Sequence, residues 1–251
     1  MSLKTELQGA IDYCNTALVN KGADEASTVY EIGDMIDTIE TGGATYPSGY
    51  VTSGLALFYD GIWNTRSGHS NSTSTWEDLS GYQNDLTLGD VNILCDCMES
   101  LSQGGLGYND TFNDSIVTIE MVVATFPTDG VILQTNLYSN NEMMVYKRAA
   151  GISPKASYPT RSYAQNLKSQ LSFDYGNSIW LVNGETKADG TQDTWSRAGT
   201  HKIQLFMYND LQYGGIGSLY SLRIYNRSLT AAEKAQNLAA DNARFNLGIV
   251  I

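Results

Sequence analysis

Apolar residues recur along this chain with two different periods, and the change of period falls near Gly42 and Gly43. Before it, Leu3, Leu7, Ile11, Cys14 and Leu18 step by threes and fours, the spacing of one helix face. Gly22 is placed to end that helix as a left-handed cap. Thr28 and Glu31 have capping-box spacing, and Val29, Ile32, Ile36 and Ile39 form a second stripe. Residues 1–43 are therefore expected to form a separate unit, a hairpin of two short helices. A Gly-rich linker from Gly42 to Ser53 leads into the main domain, residues 44–251.

Beyond the linker the period falls to two. Residues 55–59 predict the first strand, and the β-branched apolar run 115–126 predicts a central one. Further strands are expected at 131–135, 143–146, 171–175, 179–182 and 202–208. Ile216, Tyr220, Leu222 and Ile224 share one parity against Ser221 and Arg223, which predicts a long half-buried strand. Asn226-Arg227-Ser228 ends it. Thr230 and Glu233 then open a helix by a capping box. Leu229, Ala232, Ala235, Leu238, Ala239 and Phe245 give that helix an apolar stripe. Residues 64–75 read as a polar surface loop, and residues 147–168 as the longest irregular connection. In the turn Asp78-Leu-Ser-Gly81 the carboxylate is expected to accept backbone amides. Gly104-Gly-Leu-Gly107 and Gly214-Gly-Ile-Gly217 read as strand-edge glycines.

With 251 residues the chain can bury a large core. Twenty-four Gly and sixteen Tyr beside only four Pro suit a turn-rich β protein. A net charge of −12 excludes nucleic acid as a partner, because phosphate binding needs clustered Lys and Arg. The three cysteines, Cys14, Cys95 and Cys97, match neither a disulfide framework nor a zinc site. Residues 1–20 do not read as a signal peptide, and no apolar run reaches membrane-spanning length. The expectation is a protein made in a cytoplasm, so the sequons at Asn71, Asn109, Asn113 and Asn226 read as chance matches.

Several stretches carry a resemblance. Leu222-Arg-Ile-Tyr-Asn-Arg-Ser-Leu-Thr-Ala-Ala-Glu233 resembles the last strand and exit helix of laminin-G-like, concanavalin-A-like lectin domains. Ser178-Ile-Trp-Leu-Val-Asn-Gly-Glu185 is similar to their central hairpin. Leu57-Phe-Tyr-Asp-Gly61 and Thr75-Trp-Glu-Asp-Leu-Ser-Gly81 resemble their opening strands. The resemblance spans roughly residues 50 to 246. It implies a mainly β, jelly-roll sandwich of two antiparallel sheets, between the N-terminal helical hairpin and a C-terminal helix. The hairpin itself, with Ala10-Ile-Asp-Tyr13 and Ile32-Gly-Asp-Met-Ile-Asp-Thr-Ile39, resembles N-terminal segments of phage tail and minor structural proteins.

Catalytic signatures are absent from the sequence. Glucan hydrolases of the concanavalin-A-like fold set carboxylates along one strand as Glu-x-Asp-x-x-Glu, aimed into one cleft. Here the apolar strand offers Glu120 alone. No Gly-x-Ser-x-Gly elbow, phosphate loop or His-Glu-x-x-His occurs, and two histidines, His69 and His201, make a triad improbable. The chain is therefore expected not to be an enzyme.

Binding remains. Trp63, His69, Tyr82 and Tyr213 lie in or beside loops, where aromatic faces can stack on sugar rings. Against this, Trp63, Trp76, Trp180 and Trp195 can equally be core anchors; Trp76 and Trp180 read as core and Trp63 is left open. The resemblance implies a rim at which Asp60 and Asp78 could ligate Ca²⁺, although such residues also cap turns. Together these features imply a non-enzymatic virion component, a phage tail, fibre or head-decoration protein made in the host cytoplasm. Its hairpin would attach it to other virion proteins as an oligomer or particle-bound copy, and its lectin-like domain would adhere to a bacterial surface glycan. A purely structural particle protein without a ligand, and a glycan hydrolase, are the competing readings.

Overall fold

The computed structural model describes residues 47–101, 105–125, 130–135, 143–148, 151–153, 168–177, 179–188, 200–206 and 216–249. All belong to the unit Tyr46–Ile251. The predicted helical hairpin, Trp195 and the candidate site residue Tyr213 lie outside the described residues.

Fifteen strands and one helix make up what is described. The chain order is β1 (Leu55–Asp60), β2 (Thr75–Trp76), β3 (Leu86–Leu88), β4 (Val91–Ile93), β5 (Met98–Ser100), β6 (Gly107–Phe112), β7 (Thr118–Thr125) and β8 (Gly130–Thr135). Then come β9 (Met143–Arg148), β10 (Gly151–Ser153), β11 (Ser169–Asp174), β12 (Ile179–Val182), β13 (Glu185–Ala188), β14 (His201–Leu205), β15 (Gly217–Tyr225) and helix α1 (Ala231–Phe245).

The strands form two antiparallel sheets, so the domain is mainly β with a single C-terminal helix among the described residues. One sheet has the order β13-β12-β11-β7-β15-β5-β4, with β1 also paired to β15. The other has the order β10-β9-β8-β14-β6-β3-β2. Period-two alternation places Ile119, Met121 and Val123 of β7, Leu171 and Phe173 of β11 and Leu222 and Ile224 of β15 in the core between the sheets. Trp76, Phe112, Ile203 and Leu205 meet them there from the second sheet, and Trp180 joins from β12. Burial of this apolar surface is the main force holding the sandwich.

Helix α1 starts as its sequence dictates. The Thr230 hydroxyl accepts from the Glu233 amide, and the Glu233 carboxylate accepts from the Thr230 amide. Asn246 closes the helix in the left-handed conformation, φ 51°. Between β12 and β13 the two-residue turn Asn183-Gly184 takes φ of 51° and 80°, the geometry an Asn-Gly hairpin turn requires.

Four expectations need correcting. Strand β15 is buried on both faces, not half-buried, because α1 covers the face that looks away from the core. Tyr220 does not share a face with Leu222 and Ile224. A register shift between Leu219 and Ser221 turns it to the helix side, where it packs edge-on against Phe245. The stripe of α1 is also different: the residues it buries are Asn237, Leu238, Asp241 and Phe245, while Ala232, Ala235 and Ala239 are exposed. The sheet face beneath presents Glu120, Arg223 and Tyr225, so polar partners are what the helix must supply. Among the described residues of the stretch 147–168, Gly151–Ser153 form the short strand β10, paired with β9.

Candidate functional site

Strands β7, β11 and β15 turn their odd-one-out polar residues toward α1. Arg223 on β15, fully buried, donates to Asp241 from Nη1 at 2.9 Å and from Nη2 at 2.5 Å. Its Nη2 lies 3.6 Å from Glu120 Oε2 on β7. Asn237 Nδ2 donates to Glu120 at 2.6 Å and to Tyr225 Oη at 3.0 Å, and Asn237 Oδ1 accepts from the Val51 amide. Tyr50 Oη donates to Asp241 at 2.9 Å, and the Tyr50 ring lies over the guanidinium at 4.3 Å.

One guanidinium thus answers two buried carboxylates. Burial pushes the Glu120 carboxyl up to about 7; Arg223 opposes this and Asp241 adds to it. Burial likewise raises Asp241, against the pull of Arg223. Ser172 on β11 is the outer member of the cluster. Its hydroxyl donates to Glu120 Oε1 at 3.2 Å, and the same residue lines a cleft.

That cleft, about 500 Å³, opens between α1 and the outer face of β11, β12 and β13. Its helix wall is Ala231, Lys234, Ala235 and Leu238, where two alanines four residues apart leave the space. Ile179 and Leu181 of β12 form the facing apolar wall, and Gln170 and Ser172 lie at the β11 side. At one end Lys234 donates to Asp174 at 2.7 Å, and Asp174 also accepts from Ser228 and Asn177. Burial works to raise the Asp174 carboxyl, but these hydrogen bonds outweigh it and hold it lowered. The volume is that of a small-molecule pocket, with mostly aliphatic walls and a few directed polar groups.

The residues singled out in the sequence lie elsewhere, at the β1–β2 end. Tyr82 is 63% exposed, as a surface aromatic should be. Trp63 is half-buried and packs against the small apolar cluster that includes Tyr50, Val51, Phe58 and Leu79. His69 is held by the Ile62 carbonyl at 3.1 Å and by Asn71 at 2.9 Å. Trp76 and Trp180 are core, Trp76 donating from its indole to the Asp60 carbonyl.

Asp60 and Asp78 are both fully buried and engaged by protein donors. Asp60 accepts two hydrogen bonds from Arg244, both at 2.8 Å, and one from the Trp63 amide. Asp78 accepts from the amides of Phe58, Ser80 and Asn84 and from the Ser80 hydroxyl, the turn-capping role read in the sequence. Among the described residues no group of three or more His, Cys, Asp and Glu is placed to hold a metal ion. Nor is any described helix long and apolar enough to cross a membrane.

Sequence reasoning missed the cleft. One signal for it was present: Ile179-Trp-Leu-Val182 is apolar at every position, which marks a strand covered on both faces.

A two-sheet antiparallel sandwich with one helix laid over its outer face is the class of fold these observations define. No known family model and no curated protein matches the sequence. Solved structures do match. The chain resembles Trypanosoma rangeli sialidase in complex with sialic acid at a TM-score of 0.60 and 14% identity, over 96% of this chain and 39% of that one. It also resembles the binding domain of botulinum neurotoxin serotype D, at a TM-score of 0.53 and 12% identity, over 75% of this chain and 52% of that one. The serotype G binding domain matches at 0.51 and 12%, over 66% of this chain and 49% of that one. The chain therefore spans about two fifths of the sialidase it matches. At these identities the likeness is one of fold, a sandwich of two antiparallel sheets.

One expectation is overturned here. The chain was expected not to be an enzyme, on the ground that no Glu-x-Asp-x-x-Glu or triad motif occurs. Solved structures that it resembles over 94–96% of the chain include sialidases, which are glycoside hydrolases. Lack of those motifs does not separate this chain from hydrolases.

Proposed function

We propose that residues 44–251 form a glycan-binding β-sandwich module. The observation that carries this reading is a pocket of ligand size on a sandwich of this fold, with aliphatic walls beside an amide and a hydroxyl. The neighbours support it: one is a sialidase holding sialic acid, and others are the binding domains of neurotoxins. The module sits on a phage particle, as a tail, fibre or head-decoration protein, and the hairpin of residues 1–43 attaches it to other virion proteins. The hairpin's separate apolar period and its resemblance to phage structural proteins support that setting. Many copies on one particle would make weak single-site binding effective against a bacterial surface.

The test is a glycan array probed with the full chain, with and without EDTA, followed by analysis of the bound glycans for cleavage products. Retention of a defined set of glycans is the expected result. No retention, with the protein found as ordered density in particles, would replace the reading with a purely structural role. Cleavage products would make the module part of a hydrolase.

A further inference from the structure

The cleft beneath α1 is specific enough in its chemistry to name the kind of sugar. Resting on the glycan-binding reading above, we propose that it seats an N-acetylated sugar residue. The acetamido methyl lies against Ile179, Leu181, Ala235 and Leu238, and the polar edge of the sugar faces Ser172 and Gln170.

Charge comes first. Lys234 is the charged residue among those lining the cleft, and its ammonium is already matched by Asp174 at 2.7 Å. Glu120, behind Ser172, is fully buried and closed off from the cleft, its oxygens already taken by Asn237 and Ser172 with Arg223 at 3.6 Å. A charged group entering the cleft would lose its water and find no counter-ion, so the ligand is neutral. Shape comes second. None of the lining residues is aromatic, so the cleft offers no platform for stacking the face of a sugar ring. Its apolar part is aliphatic and concave, which fits a methyl group rather than a flat ring. Polarity comes third. The Ser172 hydroxyl spends its proton on Glu120 and keeps a lone pair, and Gln170 brings an amide that can both give and accept. A group that joins a methyl to an N–H and a carbonyl satisfies both walls at once. An acetamido substituent on a sugar is that group, and a volume of about 500 Å³ holds the ring that carries it.

Saturation-transfer difference NMR on the full chain tests this, with N-acetylglucosamine, glucosamine and glucose as probes. The acetyl methyl of N-acetylglucosamine should take the strongest saturation, and the other two sugars should give at least tenfold less. Ala235→Leu fills the cleft with a good helix former and should reduce the methyl signal at least tenfold. Ala232→Leu, one helix position off the cleft, should leave it unchanged. Circular dichroism on both variants confirms that the fold is kept. Array binding that survives Ala235→Leu, with no methyl saturation in the parent chain, would overturn this proposal and leave the glycan-binding reading standing. Loss of all glycan binding in the parent chain would sink both. Saturation of leucine-bearing peptides and of no sugar would overturn it by giving the cleft to a protein partner.

Discussion

Asn237 of α1 donates to Glu120 of β7 across 117 positions of chain, at 2.6 Å, inside an interface closed to water. That contact joins the helix to the centre of the sheet, and it does so through a carboxylate with only a share in one guanidinium. Asp241 has the bidentate partnership with Arg223, so Glu120 is the group left under-compensated. The consequences can be measured.

Stability should fall as pH rises from about 4.5 to about 7. The folded Glu120 carboxyl titrates near 7 against an ordinary 4.5, so the native state holds a proton that the unfolded chain releases. A raised carboxyl contributes fully below its unfolded value and loses that contribution as pH climbs through the folded one. The shift corresponds to on the order of 3 kcal/mol. Raised Asp241 acts in the same direction. Urea midpoints of the parent and Glu120→Gln at pH 5, 6.5 and 8 check it. The variant should show a much flatter slope across this range, and equal slopes would remove Glu120 from the account.

Removing the guanidinium should be severe. Arg223→Met leaves Asp241 and Glu120 buried without a cation, which costs about 3–5 kcal/mol. Chemical denaturation of Arg223→Met, Asp241→Asn and the double variant forms a cycle. The double variant should lose less than the sum of the two single losses, since the second change removes a charge that the first had stranded.

The helix cap offers a smaller and cleaner effect. Thr230→Ala removes the acceptor for the Glu233 amide and should lower stability by about 1 kcal/mol. Thr230→Ser keeps the oxygen and should recover most of the loss, as read from thermal midpoints.

Asp60 and Asp78 distinguish a cation site from a structural one. Their oxygens already accept from Arg244, the Trp63 amide and the turn around Ser80. EDTA should leave the thermal midpoint within error, while Asp60→Ala should lower it by freeing the end of α1 that Arg244 anchors. A midpoint that drops with EDTA and returns with calcium would show that the carboxylates hold a metal.

Local features of this fold were legible in the sequence because their causes are local. The Thr230–Glu233 box, the Asn183-Gly184 turn, the Asp78 turn and the apolar strand β7 each depend on residues within a few positions of one another. What was not legible depends on long-range pairing. Nothing near Asn237 or Asp241 announces that they will be buried; Arg223 and Glu120 decide that from other strands. The same holds for Asp60, whose partner Arg244 is 184 positions away. Tyr220 departs from its expected face for a different reason: a strict period of two cannot register the bulge between Leu219 and Ser221. The cleft needed α1 laid beside β12 before Ala231 and Ala235 could be seen as a gap rather than as helix formers.

The place of β15 in its sheet has a consequence for synthesis. It lies between β7 on one side and β1 with β5 on the other, yet it is the last strand of the described chain. As the polypeptide leaves the ribosome, the strand that seals this sheet arrives after every strand it must join. Until residue 225 emerges, β1 and β7 carry open hydrogen-bonding edges in a chain rich in β-branched residues, a state prone to pairing with neighbouring nascent chains. Closure then demands contacts between residues more than 160 positions apart, such as Asp60 with Ser221, which makes folding slow and leaves it to the end. Premature termination anywhere before β15 would therefore yield an open-edged, aggregating fragment rather than a smaller working domain.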